Sequence, residues 1–132
     1  MLSNPVALSM GNPHAVFFVE DLKSIPLELL GPDLEHDPIF PEKANIGVAE
    51  IKNDREIRLK VWERGAGLTQ ACGTGACAAL VAAHRRQLFG RAGMIHTDGG
   101  LLNVEWKTNN HVLLIGPAVS TFVGKISIAD LP

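Results

Sequence analysis

The sequence has few cysteines and little net charge. Only two of its 132 residues are cysteines, Cys72 and Cys77. In a helix they would lie about 7.5 Å apart along the axis, which is too far for a disulfide. We therefore expect two free thiols in a reducing compartment. The formal net charge of −2 provides no basic field for nucleic acid and no polybasic anchor for a membrane surface.

The sequence also has no long hydrophobic run. No apolar stretch approaches the roughly 20 residues of a membrane-spanning helix, and the first ten residues, MLSNPVALSM, lack the features of a signal peptide. We therefore expect a cytoplasmic protein. The composition is 46% hydrophobic and 20% charged, which suits one globular domain over residues 1–132. The histidines and cysteines show none of the paired short spacings of zinc sites, so we expect no metal.

Most of the chain shows the pattern of β-strands. In residues 56–63, Ile57, Leu59 and Val61 alternate with Arg58, Lys60 and Trp62, which is typical of a strand with one buried face. Strands are predicted at residues 14–20, 45–52, 56–63, 101–107, 111–116 and 120–128. The second and third of these predict one hairpin, and the fourth and fifth predict another.

Two helices interrupt the predicted strands. The first begins near Pro26, which suits a first helical turn, and Gly31 and Pro32 are expected to break it. The second runs from near Gly73 toward Gly90 and contains eight consecutive apolar residues, 76–83, so it should be buried on all sides. The sequence therefore predicts an α+β fold: a curved, mostly antiparallel sheet wrapped around one central apolar helix.

Cys72 lies directly before the second predicted helix, in QACGTGACAAL. A thiol at a helix N-terminus is close to unpaired N–H groups and the positive end of the dipole, which lowers its pKa. Gly73 and Gly75 permit a ligand to approach the backbone, and the N–H groups of Gly73 and Thr74 could hold a carboxylate. The alternative role is a small buried packing residue, which is what we predict for Cys77.

Glu63 and Arg64 end a predicted strand just before a glycine-rich loop. In a cleft, this carboxylate and guanidinium could bind an ammonium and a carboxylate group. The alternative is an exposed surface pair of little energetic consequence.

Four histidines are expected at the surface or in ordinary hydrogen bonds: His36, His84, His96 and His111.

Four segments of the chain resemble the diaminopimelate epimerase family. They are SMGNPHAVFFV, FPEKANIGVAEI, VWERGAGLTQACGTGACAA and GGLLNVEW, and they occur in the family's order across nearly the whole chain. Proline racemases and related isomerases share the Cys-Gly-Thr-Gly turn. The resemblance implies inversion of one α-carbon of LL-diaminopimelate to the meso form, for lysine and cell-wall biosynthesis. It also implies two cysteines as acid/bases, without pyridoxal phosphate, any other cofactor or a metal.

The resemblance implies a role for individual residues. Cys72 is expected as one of the two acid/base thiols, with His14 and Glu63 tuning it, and Gly73 and Thr74 as donors to the α-carboxylate. The expected ligands of the rest of the substrate are Asn12, Asn45, Glu63 and Arg64. Inversion needs one base on each face of the α-carbon, because a single thiol would return the proton to the side from which it came. A near-neutral thiol suits this work.

Members of this family have two similar halves with the active site between them. Their other cysteine lies in a Cys-Gly-Asn-Gly type motif that this sequence lacks, so the chain resembles the C-terminal half. We expect the chain alone to bind diaminopimelate weakly without epimerising it. We also expect association with an N-terminal half or, as a homodimer, with a second copy.

Other functions remain open at this point. The absent second cysteine also fits a binding or interaction module that keeps the fold without catalysis, and the Cys-Gly-Thr-Gly turn fits another cofactor-independent racemase related to proline racemase. Residues 73–78 match the Gly-x-Gly-x-x-Gly/Ala dinucleotide fingerprint. The preceding loop is too long for that motif and no βαβ pattern follows, so a nicotinamide dinucleotide is not expected.

Overall fold

The computed structural model describes residues 2–130, and within them it has eight strands and two α-helices. In chain order they are β1 (Val6–Ser9), β2 (Pro13–Phe18), α1 (Leu27–Glu35), β3 (Asn45–Ile51), β4 (Glu56–Glu63), β5 (Gly67–Thr69), α2 (Gly73–Arg85), β6 (Ala92–Thr97), β7 (Gly100–Trp106) and β8 (Val112–Ile115). Short 3₁₀ turns lie at Leu22–Ser24 and Ile128–Asp130. None of the helices in these residues has the length and hydrophobicity to cross a membrane.

The strands form one curled, mixed sheet in the order β1-β2-β3-β4-β6-β7-β8, with β5 paired to the end of β4. The β2–β3 and β4–β6 pairs are parallel, and the other five pairs are antiparallel. Helix α2 packs inside the curl against every strand except β5. The predicted α+β fold, with a mostly antiparallel sheet around one central helix, is confirmed.

The core follows from the small size of the α2 side chains. Residues 76–83 are all buried, and their alanines let the strands approach the helix closely. Ile57, Leu59 and Val61 pack in the same cluster, so the predicted inner face of β4 is confirmed. A second cluster on the other side of the sheet joins Leu27 of α1 to residues of β2 and β3. The sheet is thus covered by α2 within the curl and by α1 outside it.

The prediction that α1 breaks at Gly31 and Pro32 is wrong, because the helix continues to Glu35. Gly31 is buried against the ring of Trp62, and a Cβ atom there would overlap that ring. Pro32 lacks the N–H that would reach the carbonyl of Glu28. The packing of α1 on Trp62 outweighs this one missing hydrogen bond.

Three further expectations need correction. Residues 120–128 form no strand up to the 3₁₀ turn that starts at Ile128, and Phe122 and Val123 are 84% and 94% exposed. Helix α2 ends at Arg85, well before Gly90. Strands β1, β5 and β6 were not among the predicted strands.

Candidate active site

Cys72 is the N-cap residue of α2. Its backbone is extended, and its Sγ accepts a hydrogen bond from the N–H of Gly75 at 3.3 Å. The first N–H groups of a helix have no partner within the helix, so the sulfur satisfies one of them. Cys72 is only 7% exposed, and both cysteines are unbridged. The atom expected to react is therefore also the atom that starts the helix.

The glycines of the turn serve packing as well as access. Gly75 is buried, and a Cβ there would lie 3.0 Å from Val61 Cγ2 and 3.1 Å from Cys72 Sγ. A Cβ on the half-buried Gly73 would lie 2.9 Å from Leu114 Cδ2. The expectation that Gly75 leaves room for a ligand is wrong, because protein atoms fill that space.

The exposed side chain of Thr74 is the centre of a polar network. Its Oγ1 lies 3.2 Å from Asn12 Nδ2, 3.2 Å from His14 Nε2 and 3.7 Å from Cys72 Sγ. His14 Nε2 also lies 3.1 Å from Asn12 Oδ1. The start of β2 and the start of α2 thus bring together residues that are about sixty positions apart in sequence. His14 reaches Cys72 through Thr74, so its expected effect on the thiol has a physical route.

Glu63 completes the surroundings of the thiol. Its Oε1 accepts a hydrogen bond from Thr69 Oγ1 at 2.6 Å across the β4–β5 pair. Burial raises the pKa of Cys72, and the nearby Glu63 carboxylate raises it further. The Thr74 hydroxyl and the Gly75 N–H lower this pKa, but the net direction is upward. The expectation of a lowered thiol pKa is wrong here, because burial outweighs the helix N-terminus.

His14 is almost fully buried at 2% exposed. Burial lowers its pKa below the ordinary value of 6.5; Glu63 acts against this and Arg64 adds to it. The imidazole is consequently neutral at pH 7 and carries one ring N–H.

Asn45 and Arg64 form a second, adjacent group. Asn45 is buried, its Nδ2 donates to the carbonyl of Pro13 at 3.1 Å, and its Oδ1 accepts the backbone N–H of Arg64 at 2.8 Å. The exposed Arg64 side chain donates from Nη1 to the carbonyl of Glu42 at 2.9 Å. Asn45 therefore fixes the backbone of Arg64 against the start of β2. One N–H and one lone pair of its amide remain for another partner.

Glu35 is a residue that the sequence reasoning missed. It is 4% exposed, and its carboxylate accepts hydrogen bonds from Trp62 Nε1 at 2.8 Å and from the N–H of Gly65 at 2.9 Å. The Trp62 bond, followed by the Gly65 bond, lowers its pKa despite burial. Glu35 thereby holds the turn that carries Glu63 and Arg64. The available signal was the spacing of Leu27, Gly31 and Glu35, which share one face of an unbroken helix.

Cys77 lies in the body of α2 and is 8% exposed. Burial, followed by the nearby Cys72, raises the pKa of its thiol. Its position in the buried cluster inside the curl confirms the predicted packing role. The remaining histidines lie outside the network: His84, for example, contacts the carbonyl of Phe89 at 3.1 Å, and His96 lies 3.7 Å from a Glu56 oxygen.

The profile of one family, diaminopimelate epimerase, matches residues 6–121. The chain belongs to the diaminopimelate epimerase family. It is 56% identical over 130 residues to the diaminopimelate epimerase of Acidiphilium cryptum and 52% identical over 131 residues to that of Rhodospirillum centenum. These matches cover 98% and 99% of this chain but only 47% and 45% of the relatives.

The solved structures extend the likeness to the fold. A phenazine biosynthesis protein of the PhzF family from Bacillus anthracis aligns with a TM-score of 0.56 at 19% identity, over 83% of this chain and 37% of that one. At this identity the likeness concerns the fold alone. The chain spans about half the length of the curated epimerase family members it matches.

Proposed function

We propose that this chain forms one face of a cofactor-independent epimerase active site for diaminopimelate. The observation that carries the proposal is the position of Cys72 at the start of α2, beside the network of Thr74, His14 and Asn12. The network is accessible, since Thr74 is exposed and Asn12 is half-buried. The relatives with 52% and 56% identity are named diaminopimelate epimerase.

Cys72 acts as one acid/base. As a thiolate it takes the α-proton: an S–H bond forms, the C–H bond breaks, and the electron pair stays on the α-carbon beside the carboxylate. A second acid on the opposite face then donates a proton to that carbon, which inverts it. The first N–H groups of α2, at Gly73 and Thr74, hold the α-carboxylate and stabilise the charge that develops there.

The far end of the substrate binds to the β4–β5 turn. Diaminopimelate carries an ammonium and a carboxylate at that end as well. The exposed Arg64 guanidinium suits that distal carboxylate. Glu63, which faces Cys72, suits instead the ammonium group beside the reacting α-carbon. Asn12 and Asn45 supply amide groups beside them. Several fixed polar contacts orient the α-carbon over Cys72.

A complete site requires a second thiol on the other side of the α-carbon. Cys77 is buried within α2 and cannot serve. We propose that the chain corresponds to the C-terminal half of a two-part epimerase, and that a unit matching the rest of the relatives packs over the site. Exposed apolar side chains support such an association: Leu113, Leu114, Ile115, Val119, Phe122, Val123 and Ile126. We expect the assembled enzyme in the cytoplasm.

The test is exchange and inversion at the α-carbon of LL-diaminopimelate in heavy water under reducing conditions. The chain is assayed alone and with the part of the Acidiphilium cryptum relative that it does not match. We expect deuterium and meso product only in the mixture. Cys72→Ser should abolish both, whereas the matched control Cys77→Ser should retain them.

Other outcomes would overturn the proposal in distinct ways. Activity that survives Cys72→Ser would mean that this thiol is not an acid/base. Exchange and inversion by the chain alone, concentration-dependent and lost in Cys72→Ser, would favour a homodimer with one Cys72 on each face. No exchange in the mixture would favour a binding module, and exchange of proline instead would favour a racemase related to proline racemase.

A further inference from the structure

The expected role of Thr74 is a backbone contact with substrate, which leaves its side chain without an assigned role. We propose that the Thr74 hydroxyl donates a hydrogen bond to the Cys72 sulfur and stabilises its thiolate, and that Asn12 and His14 orient this hydroxyl. Thr74 is then a catalytic residue because it touches the reacting atom, and Asn12 and His14 are positioning residues. The inference rests on the proposed function, since it assigns Cys72 as the acid/base.

The argument begins with the hydrogen on His14. A side-chain amide oxygen only accepts hydrogen bonds, and Asn12 Oδ1 lies 3.1 Å from His14 Nε2. This contact is favourable only when Nε2 carries a hydrogen. The neutral imidazole therefore has its single N–H at Nε2, which is also the ring atom 3.2 Å from Thr74 Oγ1.

The second step concerns the hydroxyl itself. A threonine oxygen has two lone pairs and one O–H group. Asn12 Nδ2 lies 3.2 Å from Thr74 Oγ1 as a donor, and so does His14 Nε2, whose single N–H is shared between Thr74 Oγ1 and Asn12 Oδ1. Neither nitrogen can therefore accept the Thr74 hydrogen. Among these three protein neighbours, the acceptor for the O–H is Cys72 Sγ at 3.7 Å.

The third step is the need for this donor. The titratable groups facing Cys72 are Glu63 at the end of β4, His14 of β2 and Cys77 of α2. Burial and the Glu63 carboxylate both oppose the thiolate. The donors that favour it are the Gly75 N–H at 3.3 Å and the Thr74 hydroxyl. Hydrogen bonds to charged groups are the stronger ones, so the hydroxyl has its largest effect on the thiolate.

The test measures the thiol directly, in a Cys77→Ala background so that Cys72 alone titrates. The pH profile of alkylation by iodoacetamide, together with the ultraviolet absorbance of the thiolate, is compared among variants. Thr74→Val removes the hydroxyl and keeps the shape of the side chain, and Thr74→Ser retains the hydroxyl. The matched control is Thr97→Val, since the Thr97 hydroxyl donates to the carbonyl of Gly100 within the β6–β7 hairpin.

We expect Thr74→Val to leave about tenfold less thiolate at a pH below the midpoint of the profile. Thr74→Ser and Thr97→Val should match the parent chain. Asn12→Ala should move the midpoint in the same direction, but not when Thr74 is already valine, because Asn12 acts through the hydroxyl. Circular dichroism checks that each variant is folded. Because Thr74 is exposed, its substitution is expected to leave the fold intact.

Either of two results would overturn the proposal. One is an unchanged profile in Thr74→Val, and the other is a Thr74→Ser profile equal to that of Thr74→Val. An Asn12→Ala shift of the same size with and without the Thr74 hydroxyl would remove Asn12 from its positioning role. No substrate is used, so a failure here is distinct from a failure of α-carbon exchange.

Discussion

At the scale of single residues, the chemistry of Cys72 is a balance between burial and local donors. The helix N-terminus alone predicts a lowered thiol pKa, but the structure places the sulfur in a buried position next to the Glu63 carboxylate. A sequence shows that a cysteine precedes a helix. It does not show which carboxylate the fold brings to it, because Glu63 arrives through the β4–β5 turn.

This balance predicts the effect of Glu63→Gln. Removing the negative charge should lower the pKa of Cys72, because the thiolate no longer faces a like charge. Alkylation at a fixed pH below the midpoint should become several-fold faster. Glu56→Gln, a surface substitution at the far end of β4, provides the control. An unchanged or slower reaction in Glu63→Gln would mean that Glu63 does not oppose the thiolate.

At the scale of elements, sequence patterns succeeded where one residue alternation decides the structure. The bounds of β4 agree with the predicted residues 56–63, because Ile57, Leu59 and Val61 fix its inner face. Residues 120–128 carry the same kind of apolar pattern but have no neighbouring strand within residues 2–130. A strand needs a partner, and propensity cannot supply one. Likewise Gly31 signals a break, yet the fold uses it for contact with Trp62.

The contact at Gly31 gives a prediction for stability. Gly31→Ala should lower the free energy of unfolding by about 1–3 kcal/mol through overpacking, although alanine favours a helix by up to about 1 kcal/mol over glycine. Urea unfolding measures the change. Asp33→Ala, at an exposed site on the same helix, should have little effect. Stabilisation by Gly31→Ala would show that α1 moves freely relative to Trp62.

Glu35 gives a prediction for pH dependence. Its pKa is lowered below the ordinary value of 4.5 in the folded chain, so its stabilising contribution is complete above pH 4.5 and is lost as the pH falls through the folded pKa. Glu35→Gln should lower the free energy of unfolding at neutral pH by about 1–3 kcal/mol, because one buried donor loses its acceptor. It should also reduce the acid-induced loss, measured by urea unfolding across a pH series.

The control for this prediction is Glu50→Gln. Glu50 is also buried, and it binds Lys52 and the N–H of Leu22 away from the site. Both variants should lose stability, but only Glu35→Gln should shift the amide resonances of Arg64 and Gly65. Equal shifts of these resonances in the two variants would contradict the assigned role of Glu35 in the turn.

At the scale of the whole molecule, the curled sheet ends in two outer strands, β1 and β8. Apolar side chains of β8 and of the segment after it are exposed. Such a surface is typical of an interface. The same side of the molecule carries Leu114, whose side chain lies against Gly73 at the start of α2. Association at this exposed surface would therefore affect the start of α2, where the candidate site lies.

The segment after β8 predicts how association can be weakened without unfolding. Phe122→Ser should reduce the affinity of the chain for the proposed complementary part of the epimerase by about tenfold or more, since buried aromatic residues dominate such interfaces. The melting temperature of the chain alone should not change, because Phe122 is 84% exposed. Sedimentation and calorimetric titration measure the two quantities, and unchanged affinity would exclude this segment from the interface.

The sulfur of Cys72 also has a consequence for selection. Serine is among the favoured N-cap residues, so Cys72→Ser should melt at the same or a higher temperature than the parent chain while losing the acid/base chemistry proposed for this thiol. A chain selected for stability alone would gain by that exchange. If Cys72 has the proposed acid/base role, the cysteine serves reactivity at the expense of a firmer helix start, and a more heat-resistant Cys72→Ser variant would show that conflict directly.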